Sequence, residues 1–325
     1  MSYATAVQGE QASKNTVNNN IPRTAWGVPD MQGNWDFRTI TPFERPPYFK
    51  DRDSLNEVEA RGFERAVLEG RAKREELDVS SQTDLDAGYN TFFMDQGDRV
   101  NGTMRTSLII KPINGRLPPR TDPARKRHQQ FLTTLSQPPV GPEDRTIFER
   151  CLMARNSGPP ITPGGYNNML QIVQTPDHVV LQTEMINEHR IIPTGAVEGL
   201  PAHMRLWKGD SRGAFEDDTF VVTTSNFTAD TAYRGTGPDM KLTERFTLLT
   251  SQRLLYEYTV EDMWAYFAPW SVVFEMTRTD ADLFEYACHE GNYAMPAMLK
   301  AARRQEREGI IDNTWLPSWY RAQQQ

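Results

Sequence analysis

The chain has 325 residues, is 38% hydrophobic, and carries 43 acidic against 36 basic side chains for a formal charge of −7. No run approaches the roughly eighteen consecutive apolar residues of a spanning helix, so a membrane partner is not expected. The charges are interspersed without a Lys/Arg block, and phosphate binding needs a clustered cationic face, so a nucleic-acid partner is not expected either.

The opening segment, residues 1–22, is polar and rich in Asn and Gln and lacks a basic-then-apolar leader. It is expected to be a disordered tail on a cytoplasmic protein. Residues 23–325 are expected to form a single β-rich domain. Its first strand follows the Pro29-Asp30 turn and runs from Gly33-x-Trp35 to about Arg38.

Apolar residues at helical spacing (Leu55, Val58, Phe63, Val67, Leu68) predict a helix over 52–77. Residues 78–90 read as a loop. Asp122-Pro123 opens a second predicted helix over 121–136, and a third is predicted over 143–151. A C-terminal helix is expected at 294–308, followed by Trp315, Trp319 and Tyr320, whose aromatic bulk predicts packing against the body.

Between these helices the pattern is strand and turn. Asn114-Gly115 signals a hairpin after the strand entering at Arg105. Further strands are read at 170–174, 179–185, 204–207, 219–224, 245–249, 254–260, 271–277 and 283–286. Hairpins in tandem without βαβ alternation give an antiparallel sheet, not a dinucleotide-binding fold. The expected fold class is mainly β, an antiparallel barrel of lipocalin-like build with a few peripheral helices. A small β-propeller is the alternative.

Several runs carry chemistry-bearing residues. Cys288-His289-Glu290-Gly291-Asn292-Tyr293 sets an imidazole, a carboxylate and a phenol at a strand-to-helix corner, a combination suited to acid–base work or, equally, to capping the last helix. Glu184 ends an apolar strand and needs a cation; Arg105, Arg150, Arg190 and Arg245 are candidate partners. Asn168 and Gln171 offer neutral amides at a strand entrance. Trp264 and Trp270 belong to an aromatic loop that can wall a ligand or plug a barrel end. Gly209-x-Ser211-x-Gly213 matches a hydrolase elbow, but a strand follows it where that motif requires a helix. The two cysteines, Cys151 and Cys288, read as buried thiols, with a disulfide as the alternative. No metal-ligand spacing, flavin motif or glycine-rich phosphate loop is visible, so neither a metal nor a cofactor is expected.

Ordered motifs from about residue 24 to 303 resemble a large, mostly bacterial family of hypothetical proteins: GVPDMQGNW, RTSLII, GPEDRTIFERC, YNNMLQIVQTP, GDSRGAFEDDTFVVTTSNF, YEYTVED and EYACHEGNY. Many members of that family look exported. Signal-less fungal relatives suggest natural-product pathways, with the hetero-Diels–Alderases of tropolonic sesquiterpenoids as a model, and the GxW entry is similar to the lipocalin opening. The family's activity is largely unassigned, and the residues together with this model lead to the expectation of a cofactor-independent enzyme that dehydrates or cyclises an apolar oxygenated small molecule. His289 would act as acid or base, oriented by Glu290, with Arg105, Arg190 and Glu184 handling charge. Asn168, Gln171, Trp264, Trp270 and Tyr293 would hold the substrate. A lipocalin-like carrier is the alternative.

Overall fold

The structure is a computed structural model, and it describes residues 21–75, 94–231, 233–310 and 315. The expectations for the tail before residue 21, for the loop at 78–90 and for Trp319 and Tyr320 lie outside the described residues.

Ten strands form one sheet: β1 Gly33–Asp36, β2 Ile109–Lys111, β3 Met169–Gln174, β4 His178–Thr183, β5 Glu188–Pro193, β6 Asp210–Glu216, β7 Thr219–Ser225, β8 Lys241–Thr250, β9 Arg253–Glu261 and β10 Trp270–Thr279. Period-2 alternation produces them: on β8, Leu242, Glu244, Phe246 and Leu248 point to one buried face and Thr243, Arg245 and Thr247 to the other.

The neighbour order is β5-β4-β3-β1-β10-β9-β8-β7-β6, every neighbouring pair antiparallel. The sheet curls into a nearly closed antiparallel barrel, the expected class; one continuous sheet is incompatible with separate propeller blades. Nine alternating strands leave the two end strands, β5 and β6, pointing the same way. They meet at a single parallel bridge, Thr194 to Gly213, where Gly195 N donates to Gly213 O at 3.2 Å.

Trp35, on β1, packs inside one end of the barrel. Trp35 is fully buried, and the Arg278 guanidinium lies 4.6 Å from its ring centroid while donating to Ser251 O at 2.7 Å and Gln32 O at 2.5 Å. At the other end, the long excursion between β1 and β3 wraps the barrel. It contains β2, helix α1 (Glu57–Glu75) and helix α2 (Asp122–Leu135). The α1 start is a reciprocal cap: Glu59 N donates to Asn56 Oδ1 at 3.0 Å and Asn56 N to Glu59 Oε2 at 2.9 Å. A small cluster of Leu55, Ala60 and Val100 seats α1 outside the barrel. Helix α3 spans Ala294–Glu308 and stops at Gly309, φ 65°.

β1 and β2 share one edge of β10, and the gap between them is bridged by a side chain. Asn101 Nδ2 donates to Glu275 O at 2.9 Å and Glu275 N donates to Asn101 Oδ1 at 2.8 Å, so the amide substitutes for a peptide unit in the ladder.

Five local expectations need correction. Asn114-Gly115 does turn the chain, but β2 leaves its hairpin unzipped and pairs with β10 instead, because Gly115 O is taken by Arg45 N at 2.8 Å. Residues 204–207 form turns plus one bridge from Leu206 to Phe227, not a strand. Residues 283–286 are also not a strand: Phe284 N donates to Glu184 Oε2 at 3.1 Å and Tyr286 stacks on Tyr166 at 6.3 Å. The helix predicted over 143–151 is limited to a 3-10 turn at Pro142–Asp144 and irregular turns, with Cys151 at φ 58°. Cys151 and Cys288 form a disulfide with Cα atoms 5.7 Å apart, so they are not the buried thiols of the favoured reading.

Candidate functional site

The residues singled out from sequence do not gather in one place. His289 and Glu290 are exposed, and Tyr293 is 81% exposed, on an outer corner held to the body by the disulfide and by Asn292 Nδ2 donating to Glu149 O at 2.8 Å. Arg105 lies outside the barrel beside Asp53, Nη2 to Oδ2 3.8 Å. Asn168 is buried but committed to its own loop: it accepts from Gly164 N at 2.7 Å and donates to Gly164 O at 3.0 Å and Asp95 O at 3.1 Å. Gln171 donates to Asn34 Oδ1 at 2.9 Å on the neighbouring strand. Glu184 is buried as expected, yet its partners are Asn167 Nδ2 and Phe284 N rather than an arginine. Ser211 sits within β6, 2.9 Å from Thr224 Oγ1, with no strand-to-helix elbow.

The acid that faces the barrel interior is Glu244, with no exposed surface. Arg190 reaches it from β5, Nη2 to Oε2 at 2.6 Å and Nη1 to Oε1 at 3.1 Å, and Tyr256 donates its hydroxyl to Oε1 at 2.7 Å. Arg190 also donates to Ser211 Oγ at 3.0 Å. Burial alone would lower the Arg190 pKa, but the Glu244 charge and hydrogen bonds outweigh it and raise it. Burial, reinforced by Glu244, pushes Tyr256 well above the ordinary phenol range. The signal for Glu244 was present in the sequence: it interrupts the apolar face Leu242, Phe246, Leu248.

Above this pair the interior is packed. Aromatic rings follow one another from Phe215 through Phe220, Phe246, Tyr256 and Phe274, at centroid spacings of 4.9, 6.2, 4.8 and 5.2 Å. Segment 156–162 is buried throughout and crosses the lumen. Thr183 Oγ1 on β4 donates to Ser157 O at 3.4 Å, and Ile161 N donates to Tyr256 Oη at 3.0 Å on β9. Thr162, Tyr233 and Tyr258 close a ring of hydroxyls at 2.7, 3.0 and 2.9 Å. Burial holds Tyr258 well above its ordinary pKa, so it stays a neutral O–H donor.

This ring marks the wrapped end of the barrel, and Trp270 is its centre. Tyr233 stacks on Trp270 at 6.0 Å, with Phe43, Tyr258 and Tyr266 edge-on at 6.0, 6.0 and 6.1 Å. Trp270 is fully buried, yet its Nε1–H has no hydrogen-bond partner among the described residues. Arg234, in a turn at φ 50°, lays its guanidinium 3.3 Å from the Phe43 centroid, and its Nε likewise has no partner among them. Trp264 is on the rim, 44% exposed, under the Arg127 guanidinium at 4.3 Å. The aromatic loop of the sequence reading therefore does reach this end, and Tyr233, Arg234 and Tyr258 are the residues sequence reasoning missed. No protein-family model, curated protein or solved structure matches this chain.

Among the described residues no helix is long and apolar enough to cross a membrane, and no cluster of three or more His, Cys, Asp or Glu is placed to hold a metal ion.

Proposed function

We propose that the chain binds an apolar, oxygen-bearing small molecule at the wrapped end of the barrel and promotes its dehydration or cyclisation without a cofactor. The observation that carries this reading is the Trp270 Nε1–H: a fully buried donor, walled by four aromatic rings and without an acceptor among the described residues. Leaving such a donor unmade costs about 1–3 kcal/mol, and a ligand carbonyl at that point recovers it. The Tyr233–Tyr258–Thr162 ring stands beside it, so the same oxygen can take a second hydrogen bond when one hydroxyl swings out of the ring.

Two neutral donors on a carbonyl withdraw electron density from its conjugated system. That lowers the barrier to dehydration of a β-hydroxy ketone and to cycloaddition of an enone, the hetero-Diels–Alder type that the sequence resemblance suggests. Aromatic walls hold the apolar body in a reactive alignment. In this reading His289, Glu290, Arg105 and Glu184 are not at the reacting atoms. The reaction belongs to secondary metabolism in the cytoplasm if Cys151 and Cys288 are thiols in the cell; the disulfide suits an oxidising compartment instead.

A carrier without turnover is the second reading, favoured by the placement of His289, Glu290, Arg105 and Glu184 away from this end of the barrel. The two part on one experiment. Conjugated enones and β-hydroxy ketones are titrated against tryptophan fluorescence and followed for conversion in wild type, Trp270→Phe and Tyr258→Phe. Enzyme action predicts conversion that Tyr258→Phe slows more than it weakens binding. Binding without conversion supports the carrier, and no saturable binding by any of them sinks both readings.

A further inference from the structure

Three arginines converge on this same end, and among the described residues none has a carboxylate within ion-pair distance. Arg120 donates through Nη2 to Arg234 O at 3.2 Å, and Arg127 donates to Gly235 O at 2.6 Å and to Thr236 O. Arg234 stacks on Phe43, its centroid distance to Tyr233 being 5.9 Å. The nearest acid is Asp262, and its oxygens are occupied by backbone donors: Gly237 N at 2.5 Å, Trp264 N at 3.0 Å and Ala265 N at 3.1 Å. Elsewhere some arginines are paired, as Arg190 is with Glu244 and Arg253 with Glu275, and others, such as Arg45, Arg71 and Arg278, donate to neutral oxygens; here three lie together. Here the charge accumulates on a molecule whose total is −7. Burial pushes Arg127 below its ordinary pKa, against the Asp262 charge and with a smaller push from Arg120, and His128 next to it is lowered by burial and then by Arg120.

We propose that the molecule recognised at this end is an anion: an apolar body whose carbonyl is conjugated with a planar carboxylate or enolate, the charge facing Arg234 and an oxygen of the conjugated group accepting from Trp270 Nε1. The inference rests on the small-molecule reading above and narrows its substrate class. Two features select a flat, delocalised anion over a phosphate. The Arg234 guanidinium carbon lies over the Phe43 ring at 3.3 Å from its centroid, and the space beside it is walled by the flat rings of Phe43, Tyr233 and Trp270, which fit a flat apolar body rather than a tetrahedral one. Partial burial of the arginines limits solvent screening of the attraction.

The test uses the full chain and two probes of one shape, 2-naphthoate and its neutral methyl ester, titrated by tryptophan fluorescence. Wild type is expected to hold the naphthoate at least about tenfold tighter, about 1.4 kcal/mol. Arg234→Gln should erase that preference while leaving ester affinity in place, and Arg234→Lys should restore part of it. Rising salt should weaken the naphthoate alone. Thermal melts of each variant confirm folding, and Arg127→Gln, expected to give a smaller loss, provides a second series should Arg234→Gln not fold. Equal affinity for the two probes in wild type overturns the anion inference and leaves the small-molecule reading standing. If neither probe binds, or if Trp270→Phe leaves both affinities untouched, the small-molecule reading fails and takes this one with it.

Discussion

Arg190 and Glu244 stand 54 positions apart and meet inside the barrel, Nη2 to Oε2 at 2.6 Å, with side-chain exposures of 6% and 0%. Removing one partner strands a buried charge. Glu244→Ala should lower unfolding free energy by about 3–5 kcal/mol, because it also leaves the Tyr256 hydroxyl without its acceptor. Replacing both, Arg190→Met with Glu244→Leu, should cost less than either alone. Urea titrations of the wild type, Glu244→Ala, the two single replacements and the double decide it, and a Glu244→Ala loss under about 1 kcal/mol would refute the buried-pair account.

Asn101 supplies a peptide-like link to Glu275. Asn101→Ala exposes one N–H and one C=O of β10 without partners, so a loss of about 2 kcal/mol is expected in thermal or urea unfolding. Asn101→Asp keeps the acceptor and loses the donor, and it should fall between the two. Equal stability of all three proteins would show that water replaces the amide at no cost.

His128 is half-buried on α2, and burial together with Arg120 lowers its pKa from the ordinary 6.5. The unfolded chain therefore binds the proton more readily than the folded one below that value. Stability is complete well above pH 6.5 and is lost as pH falls through the unfolded value toward the lower folded one. His128→Gln should flatten the melting temperature across that interval. An unchanged acid slope would assign the sensitivity to other groups.

The Cys151–Cys288 bond closes a loop with a sequence separation of 137 residues. Reduction is expected to lower stability by up to about 4–5 kcal/mol on the chain-entropy account. Cys151→Ser should reproduce the effect and make it insensitive to reductant. Alkylation of the protein trapped from cells, read by mass spectrometry, gives the cellular state directly: two labelled thiols would place the chain in a reducing compartment.

The strands were legible because a half-buried sheet forces alternation, which β3, β4, β8 and β9 show in their burial, while β10, buried on both faces from Trp270 to Phe274, reads as a short apolar run. What alternation cannot show is pairing. β1 joins β10 across more than 240 positions, so the Asn114-Gly115 signal, which is purely local, pointed to a hairpin that a distant edge displaced. Glu184 drew attention as a buried acid near a strand end, while Glu244 was hidden by the arginine after it, which points outward to Glu216 at 3.1 Å. Segment 156–162 has no period, being Asn-Ser-Gly-Pro-Pro-Ile-Thr, and nothing local reveals that it enters the lumen. Arg234 owes its place to a single left-handed residue in a short turn, which leaves no mark in hydropathy.

Odd parity has a mechanical consequence. A cylinder of nine up-and-down staves must contain one mismatched joint, and here that joint carries a single backbone rung beside Gly213. The wall is therefore weakest lengthwise along Arg190–Thr194 and Asp210–Gly213, and amide protons there should exchange with solvent ahead of those on β8 and β9. Arg190 spans the joint from one side, gripping Ser211 on the next stave and Glu244 two staves beyond. The ion pair thus acts as a clasp on the seam, and loosening it is the shortest route to widening the cylinder.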